Sequence, residues 1–364
     1  MISDDIVQPL LTWYDANKRI LPWRMSKNPY DIWVSEIMLQ QTRVEAVKPY
    51  YDRFMSALPT ISDLAGAQTE QLLKLWEGLG YYNRVRNLQK AAIQIMEEYD
   101  GQMPTDYELI VKLPGIGSYT AGAIVSIAFE KPYPAVDGNV LRILTRLSAD
   151  PSDILSAKFK KQMEKEVSEI MPQTRPGDFN QAMMELGATV CLPNGAPKCE
   201  ACPWRDMCQA RKQDLLDQIP HKEKKKKRTI EKKTVLLIRD GDKTLIRKRP
   251  NSGLLAGLFE FPTLEGWLDE DEILQFVNSL GLQTMYVKAV EDATHIFTHK
   301  EWHMKGYLIK VADTEANRNE ERMNQSEMHL IFPSEIEKKY PIPSAYKAYT
   351  KYVNIALGNE HFLR

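Results

Sequence analysis

The run "HKEKKKKRTIEKK", His221 to Lys233, separates two stretches of chain with different periodicities, and nothing else in the sequence constrains the fold so strongly. It holds eight Lys or Arg against two Glu. Such a run reads as a solvated linker, with a basic arm contacting a nucleic-acid backbone as the alternative. Before it, "DIWVSEIMLQQTRV", "TEQLLKLWEGL", "VRNLQKAAIQIMEEY", "TAGAIVSIAFE", "VLRILTRLS" and "FNQAMMELGATV" set apolar residues at helical spacing. Pro and Gly punctuate the joints. After it, "TVLLIRDGDKTLIRKRP" reads as a hairpin turning at Asp240-Gly241. "LFEFPTL", "MYVKAV", "THIFTH" and "WHMKGYLIKVA" are further strand candidates, while "DEDEILQFVNSLG" and "PSAYKAYTKYVNIAL" read as helices. The expected organisation is multidomain: an all-α domain over 1–215, a basic linker over 216–233 and an α+β domain over 234–364. At 364 residues the chain is long enough for two cores.

Charge adds little at the level of the whole chain, because 48 Lys and Arg nearly cancel 49 Asp and Glu. A nucleic-acid partner would have to be met by locally concentrated positive charge. No apolar run approaches the roughly 20 residues of a membrane span. The opening "MISDDIVQPL" has no basic segment of the kind that begins a secretory signal. These features lead us to expect a soluble, cytoplasmic protein.

All four cysteines fall in "CLPNGAPKCEACPWRDMC": Cys191, Cys199, Cys202 and Cys208. Their C-x7-C-x2-C-x5-C spacing favours a metal site over a disulfide scaffold, which spreads its cysteines across a small secreted chain. A zinc ribbon normally has two C-x2-C knuckles and this loop has one, while four thiolates in one loop also suit an iron–sulfur cluster.

Three further stretches can carry chemistry, and each has a plain structural alternative. In "LPGIGSYTAG" (113–122), Gly115 and Gly117 permit positive φ and close backbone approach ahead of a helix whose free N–H groups suit a phosphate. The same residues would also make an ordinary turn before a buried helix. Asp137, in "PAVDGNVLRIL", is either a helix N-cap or a carboxylate held at a cleft. Glu36 is the only charge between Ile32 and Leu39. With Gln40 and Arg43 it could form a wet helix face; among Trp33, Ile37 and Leu39 it could be a desolvated general acid of raised pKa.

Taken together and in order, "LPWR" (21–24), "WVSEIMLQQTRV" (33–44), "WEGLGYYNRVRNL" (76–88), "LPGIG", "AVDGNVLR" (135–142), "ELGATVC" (185–191) and the cysteine loop resemble the helix-hairpin-helix DNA glycosylases, and within them the adenine DNA glycosylase branch. The resemblance covers about residues 5–215 and, more loosely, continues to about 355. It implies an all-α helix-hairpin-helix domain with a 4Fe–4S loop (191–208), followed by a Nudix-like domain that binds 8-oxoguanine and lacks the metal-ligating acidic helix of a Nudix hydrolase.

The activity implied is hydrolysis of the N-glycosidic bond of adenine in A:8-oxoG or A:G mispairs of double-stranded DNA, by a monomeric bacterial enzyme at the nucleoid. On the matching positions, Glu36 is the general acid and Asp137 the ionised partner facing the sugar, with Tyr119 and Asn139 orienting the pair. Arg19 and Gln181 fall near the flipped base, and Arg24 and Leu39 among the residues that bind substrate or DNA. Gln41 and Tyr81 are wedges into the duplex, Gly115 and Gly117 grip phosphate, and Phe297, Thr298 and His299 read the damaged base. Cys191, Cys199, Cys202 and Cys208 ligate the cluster.

Tyr119 stands where glycosylases that also cleave the strand, similar to endonuclease III, carry a Schiff-base lysine, so a monofunctional enzyme is expected. A bifunctional glycosylase/lyase and a non-enzymatic DNA-damage sensor are the alternatives. Two departures from the family pattern stand out: a longer first cysteine gap, and Thr298 where serine is usual.

Overall fold

The structure, a computed structural model, describes residues 2–223, 227–312, 323 and 327–358; Lys224, Lys225 and Lys226 of the basic run lie outside it. The chain forms two compact units, one of Met1–Gly66 with Arg86–Lys225 and the other of Ala67–Val85 with Lys226–Arg364. Helical periodicity alone assigns 67–85 to the first domain, whereas its contacts group it with the strand-bearing unit.

The first part of the chain is helical throughout: α1 (Val7–Asn17), α2 (Pro29–Leu39), α3 (Val44–Ala57), α4 (Ile61–Gly66), α5 (Thr69–Leu75) and α6 (Asn83–Glu98). It continues through α7 (Tyr107–Ile110), α8 (Ser118–Phe129), α9 (Gly138–Ser148), α10 (Ala157–Ile170), α11 (Pro176–Thr189) and α12 (Gln209–Lys212). Local chemistry sets several starts. Asn28 accepts the Tyr30 N–H with Pro29 in the first turn of α2, and the Ser156 hydroxyl accepts the Phe159 N–H at the head of α10. One core joins α1, α9, α10 and α11, burying Leu10, Tyr14, Leu144, Phe179 and Leu186. Trp204 of the cysteine loop enters this core and donates its indole N–H to Ile6 O at 2.9 Å.

The second unit is built on a seven-stranded sheet: β1 (Thr229–Asp240), β2 (Lys243–Lys248), β3 (Phe259–Glu260), β4 (Thr263–Glu265), β5 (Gln283–Ile296), β6 (Lys300–Ala312) and β7 (Met328–Ile331). Its main path runs β3-β2-β1-β6-β5, with β4 paired to β1 and β7 to β2. The β1 and β6 strands are parallel and the other pairs antiparallel. Both faces are covered, which is why β1 reads "TVLLI" without alternation. Val235 and Leu237 face a cluster containing Ile336, Tyr346 and Tyr349; Leu236 and Ile238 face Ile273 and Val277 of α13 (Glu270–Ser279). Asp269 and Glu272 close a capping box at the head of α13.

Three local differences from the sequence pattern have physical causes. Asp240 pairs with Lys243, so the hairpin loop is Gly241-Asp242, with Gly241 at φ +54°. "MYVKAV" and "THI" belong to one strand, β5, whose register shifts between Thr284 and Tyr286 and between Val290 and Ala293 disturb the alternation. The C-terminal "PSAYKAYTKYV" makes only a 3-10 turn (Ser344–Tyr346) and a short helix (Lys347–Thr350), preceded by α14 (Pro333–Lys339).

Candidate active site

Glu36 lies on α2 and is 6% exposed, so it is not on a wet face. Gln40 and Arg43 follow α2 instead of extending it, which removes the premise of that face. The Tyr119 hydroxyl donates to Glu36 Oε2 at 2.7 Å and also lies 3.3 Å from Met184 Sδ. Burial pushes the Glu36 carboxyl up to about 7; the Tyr119 hydrogen bond opposes the shift and the Asp137 charge adds to it. Tyr119 itself is pushed well above the usual phenol range by burial and the Glu36 charge, so it remains a donor.

Asp137 is both a helix N-cap and a residue of the cleft. As N-cap of α9 it accepts the N–H groups of Asn139 (2.9 Å) and Val140 (2.8 Å) on Oδ1, and the Asn139 side-chain amide at 2.8 Å on Oδ2. The same carboxylate lines one cleft with Glu36, Tyr119, Asn139 and Gln181. Burial raises its pKa, against the pull of these three donors and of Arg142. The donors address the ionised form, and they sit at the positive end of a helix.

The backbone leading to Asp137 is fixed from two sides. Fully buried Asn180 accepts the Ala135 N–H at 3.0 Å and donates at 2.8 Å to both Tyr133 O and Ser126 Oγ. Gly122 on α8 allows the close approach, since a Cβ there would stand 2.0 Å from Pro134 O. Arg142 donates to Asn139 Oδ1 at 3.0 Å and to Gly187 O at 2.8 Å, holding the amide that faces Asp137.

Arg19, Arg24 and Leu39 line the same cleft. Both arginines converge on Glu185, which is 1% exposed: Arg19 through Nε (2.6 Å) and Nη2 (3.0 Å), Arg24 through Nη2 (2.8 Å). Burial would raise Glu185, but the two guanidiniums hold it below the usual carboxylate range. Sequence reasoning missed Glu185, Met184 and Asn180. Glu185 carries the signal that marked Glu36, as the only charge in "FNQAMMELGATV".

The remaining candidates fall elsewhere. Gly115 adopts φ +77°, and a Cβ there would meet Asn87 Cβ at 2.7 Å, so this position demands glycine. Gly117 is the extended N-cap of α8 (φ −99°, ψ −179°), with nothing within 4 Å of its missing Cβ; open approach, not positive φ, distinguishes it. Gln41 is exposed at φ +59° just beyond α2. Tyr81, 48% exposed at φ +48°, belongs to the segment grouped with the second unit. Phe297, Thr298 and His299 form the turn joining β5 to β6, closed by the Phe297 N–H donating to Lys300 O at 2.8 Å. Thr298 and His299 are exposed, while the Phe297 ring packs edge-on against Trp302, 4.9 Å away.

The four cysteines carry no disulfide and ring one cavity over the core, with Arg146 Nη1 3.3 Å from Cys191 Sγ. Burial, then mutual repulsion, pushes Cys199 above the usual thiol range. Burial also raises Cys208 and takes Cys202 up to about 12. Among the described residues no group of three or more His, Cys, Asp or Glu is placed to hold a single metal ion. No helix of the described residues is long and apolar enough to cross a membrane.

Comparison with known proteins identifies the fold and the family. Residues 34–173 match the HhH-GPD superfamily of base excision DNA repair proteins, and residues 234–352 match the NUDIX domain. A thermostable thymine-DNA glycosylase of known structure is similar with a TM-score of 0.53 and 29% identity, over 57% of this chain and 96% of that one. An endonuclease III–DNA complex is similar with a TM-score of 0.50 and 25% identity, over 59% of this chain and 99% of that one. Fold and cleft thus define a helix-hairpin-helix base-excision DNA glycosylase followed by a NUDIX-type domain.

Among curated relatives, the adenine DNA glycosylase of Rattus norvegicus is 37% identical over 348 residues, covering 80% of this chain and 67% of the relative. The human one is 37% identical, and the chain spans 64% of its length. That of Buchnera aphidicola subsp. Schizaphis graminum is 35% identical, covering 84% of this chain and 87% of the relative. The chain belongs to the adenine DNA glycosylase family and is a DNA N-glycosylase, a hydrolase.

Proposed function

We propose that the chain excises adenine paired with 8-oxoguanine or guanine in double-stranded DNA and leaves an abasic site, with Glu36 as general acid and Asp137 as the ionised partner. The observation that carries this reading is the pairing of environments in one cleft: a buried Glu36 with a pKa raised to about 7, beside an Asp137 held by three N–H donors. Adenine must first leave the base stack to reach such a cleft. Glu36 then delivers its proton to a ring nitrogen of the base as the C1′–N9 bond breaks and its electron pair departs with adenine. The Asp137 carboxylate faces the developing oxocarbenium ion and stabilises its charge, or bonds to it transiently. Water adds at C1′, and ionised Glu36 takes up the proton that water loses.

Tyr119 holds the acid in place with Met184 behind its hydroxyl. It has no amine with which to form a Schiff base, which supports base removal without strand cleavage. Arg19, Arg24 and Gln181 border the base, with the two guanidiniums oriented by Glu185. The Gly115–Gly117 turn approaches phosphate, Gln41 and Tyr81 wedge the duplex, and the Phe297-Thr298-His299 turn, with Thr298 and His299 exposed, reads 8-oxoguanine. The enzyme acts as a monomer in the bacterial cytoplasm, at the nucleoid.

The cysteine loop suits a 4Fe–4S cluster. Four free thiols border one cavity, and burial together with mutual repulsion opposes ionisation of Cys199, Cys202 and Cys208 without cationic iron among them. Cys191, Cys199, Cys202 and Cys208 would be the ligands, with Arg146 donating toward Cys191. Bound there, such a cluster would cross-link the loop and supply electron-transfer chemistry.

Single-turnover adenine release from 8-oxoG:A, G:A and T:A duplexes tests the reading. Release is expected from the first two, falling as pH rises above about 7 where Glu36 loses its proton. Glu36→Gln should slow it by about 10²- to 10⁴-fold. Undiminished release by that variant would overturn the acid assignment.

A further inference from the structure

We propose that Glu77, with Lys74, is a positioning group that ties the Tyr81 turn to the C-terminal fold, so that the strand-bearing unit sets where this aromatic ring stands. The proposal rests on Tyr81 being a wedge. Glu77 is 2% exposed and its carboxylate is fully engaged. Oε1 accepts the Ile342 N–H at 2.8 Å, and Oε2 accepts the Gly358 N–H at 3.0 Å and Lys74 Nζ at 2.8 Å. Lys74, 9% exposed, donates in addition to Ile336 O and Tyr340 O, both at 3.4 Å. One ion pair from the 67–85 segment thus meets backbone groups from α14, from the stretch after it and from the end of the described chain.

A buried ion pair is weak evidence for added stability, because desolvation cancels much of the attraction. Fixing a unique arrangement is the better-attested use of such a pair, and here it lies four residues before an exposed aromatic. The intervening turn is stiff. Gly78, Gly80 and Tyr81 adopt φ of +99°, +70° and +48°. The buried Trp76 indole donates to Gly80 O at 3.1 Å, and Arg84 Nη2 donates to Leu79 O and Gly80 O, each at 3.2 Å. The Arg84 guanidinium lies close to both rings, 5.4 Å from the Trp76 centroid and 5.5 Å from that of Tyr81. An anchor at 77 is therefore passed through a rigid turn to a half-exposed ring at 81.

The test is a double-mutant cycle of Glu77→Gln and Tyr81→Leu in the full chain on an 8-oxoG:A duplex. Base extrusion is followed by fluorescence of a 2-aminopurine beside the adenine, with urea midpoints measured in parallel. Glutamine keeps the shape but can accept at only one of the two anchoring atoms. Tyr81→Leu should slow extrusion about tenfold, Glu77→Gln about three- to tenfold, and Glu77→Gln less than about twofold further in the Tyr81→Leu background. Equal losses from Glu77→Gln in both backgrounds would overturn the link between the two residues. Unchanged extrusion by Tyr81→Leu would overturn the wedge reading, and the proposal with it. Lys74→Met, run through the same cycle, replaces Glu77→Gln if that protein is too unstable to assay.

Discussion

Glu36 in the helical unit and Glu260 in the sheet unit are both buried, at 6% and 0% exposure, yet their surroundings treat them in opposite ways. Glu260 is saturated. Arg247 donates through Nε (3.0 Å) and Nη2 (2.5 Å), Arg249 pairs with the other oxygen, and the Tyr346 hydroxyl donates at 2.5 Å. Among the described residues, Glu36 receives one hydroxyl and faces a second carboxylate across a cleft, with no cation in hydrogen-bonding contact. A buried carboxylate with its charge answered is architecture. One left short of partners keeps a proton near neutrality and has it to give.

The largest effect that would test this contrast is on Glu260. Glu260→Gln removes one partner of a buried cluster and leaves two guanidiniums without their countercharge, so the second unit should lose about 3–5 kcal/mol. The urea dependence of amide hydrogen exchange in β1 and β6 reads this in the second unit itself. A loss below about 1 kcal/mol would mean that the cluster is replaceable and that the two glutamates differ less than their partners suggest.

Removing the charge from Glu36 should act in the other direction. Its pKa is raised from 4.5 to about 7 on folding, so the native state holds a proton that the unfolded chain has released over that window. Stability is therefore lost as pH rises from about 4.5 to 7, by about 3 kcal/mol in all at the pH-independent limit. Glu36→Gln should recover much of this at pH 8 and little at pH 4.5, while abolishing most adenine release. If denaturation curves of the two proteins differ equally at both pH values, the burial of Glu36 does not control its proton.

What was legible in the sequence follows from how local each signal is. Glu36 stood out as a single charge inside a helical apolar run, and Asp137 as a capping residue before the next such helix; both signals lie within a few residues. Which way Glu36 faced depended on α2 ending at Leu39, a fact that periodicity blurred by continuing the pattern to Arg43. Glu185 had the same local signature as Glu36. Its partners, Arg19 and Arg24, lie more than 160 positions away, and in the sequence they read separately, as residues that bind substrate or DNA. The grouping of 67–85 with the second unit was illegible for the same reason. Its cause is a carboxylate meeting N–H groups 265 and 281 positions later, whereas its sequence is simply amphipathic helix and turn. Strand β5 was divided in two because bulges break the alternation by which strands are recognised.

The smallest predicted effect isolates the one bond that Glu36 does receive. The Tyr119 hydroxyl donates to Glu36 and so favours its ionised form, restraining the upward shift that burial imposes. Tyr119→Phe removes this donor with little change of shape, leaving Glu36 more isolated and its pKa higher. The alkaline limb of kcat/KM for adenine release should move up by about one pH unit, and the rate below it should fall no more than about tenfold, because the acid is still present but less firmly oriented. A limb that stays in place would show that Tyr119 only packs against the pocket. A downward shift would mean that the hydroxyl stabilises the protonated acid, and the contrast with Glu260 would then rest on burial alone.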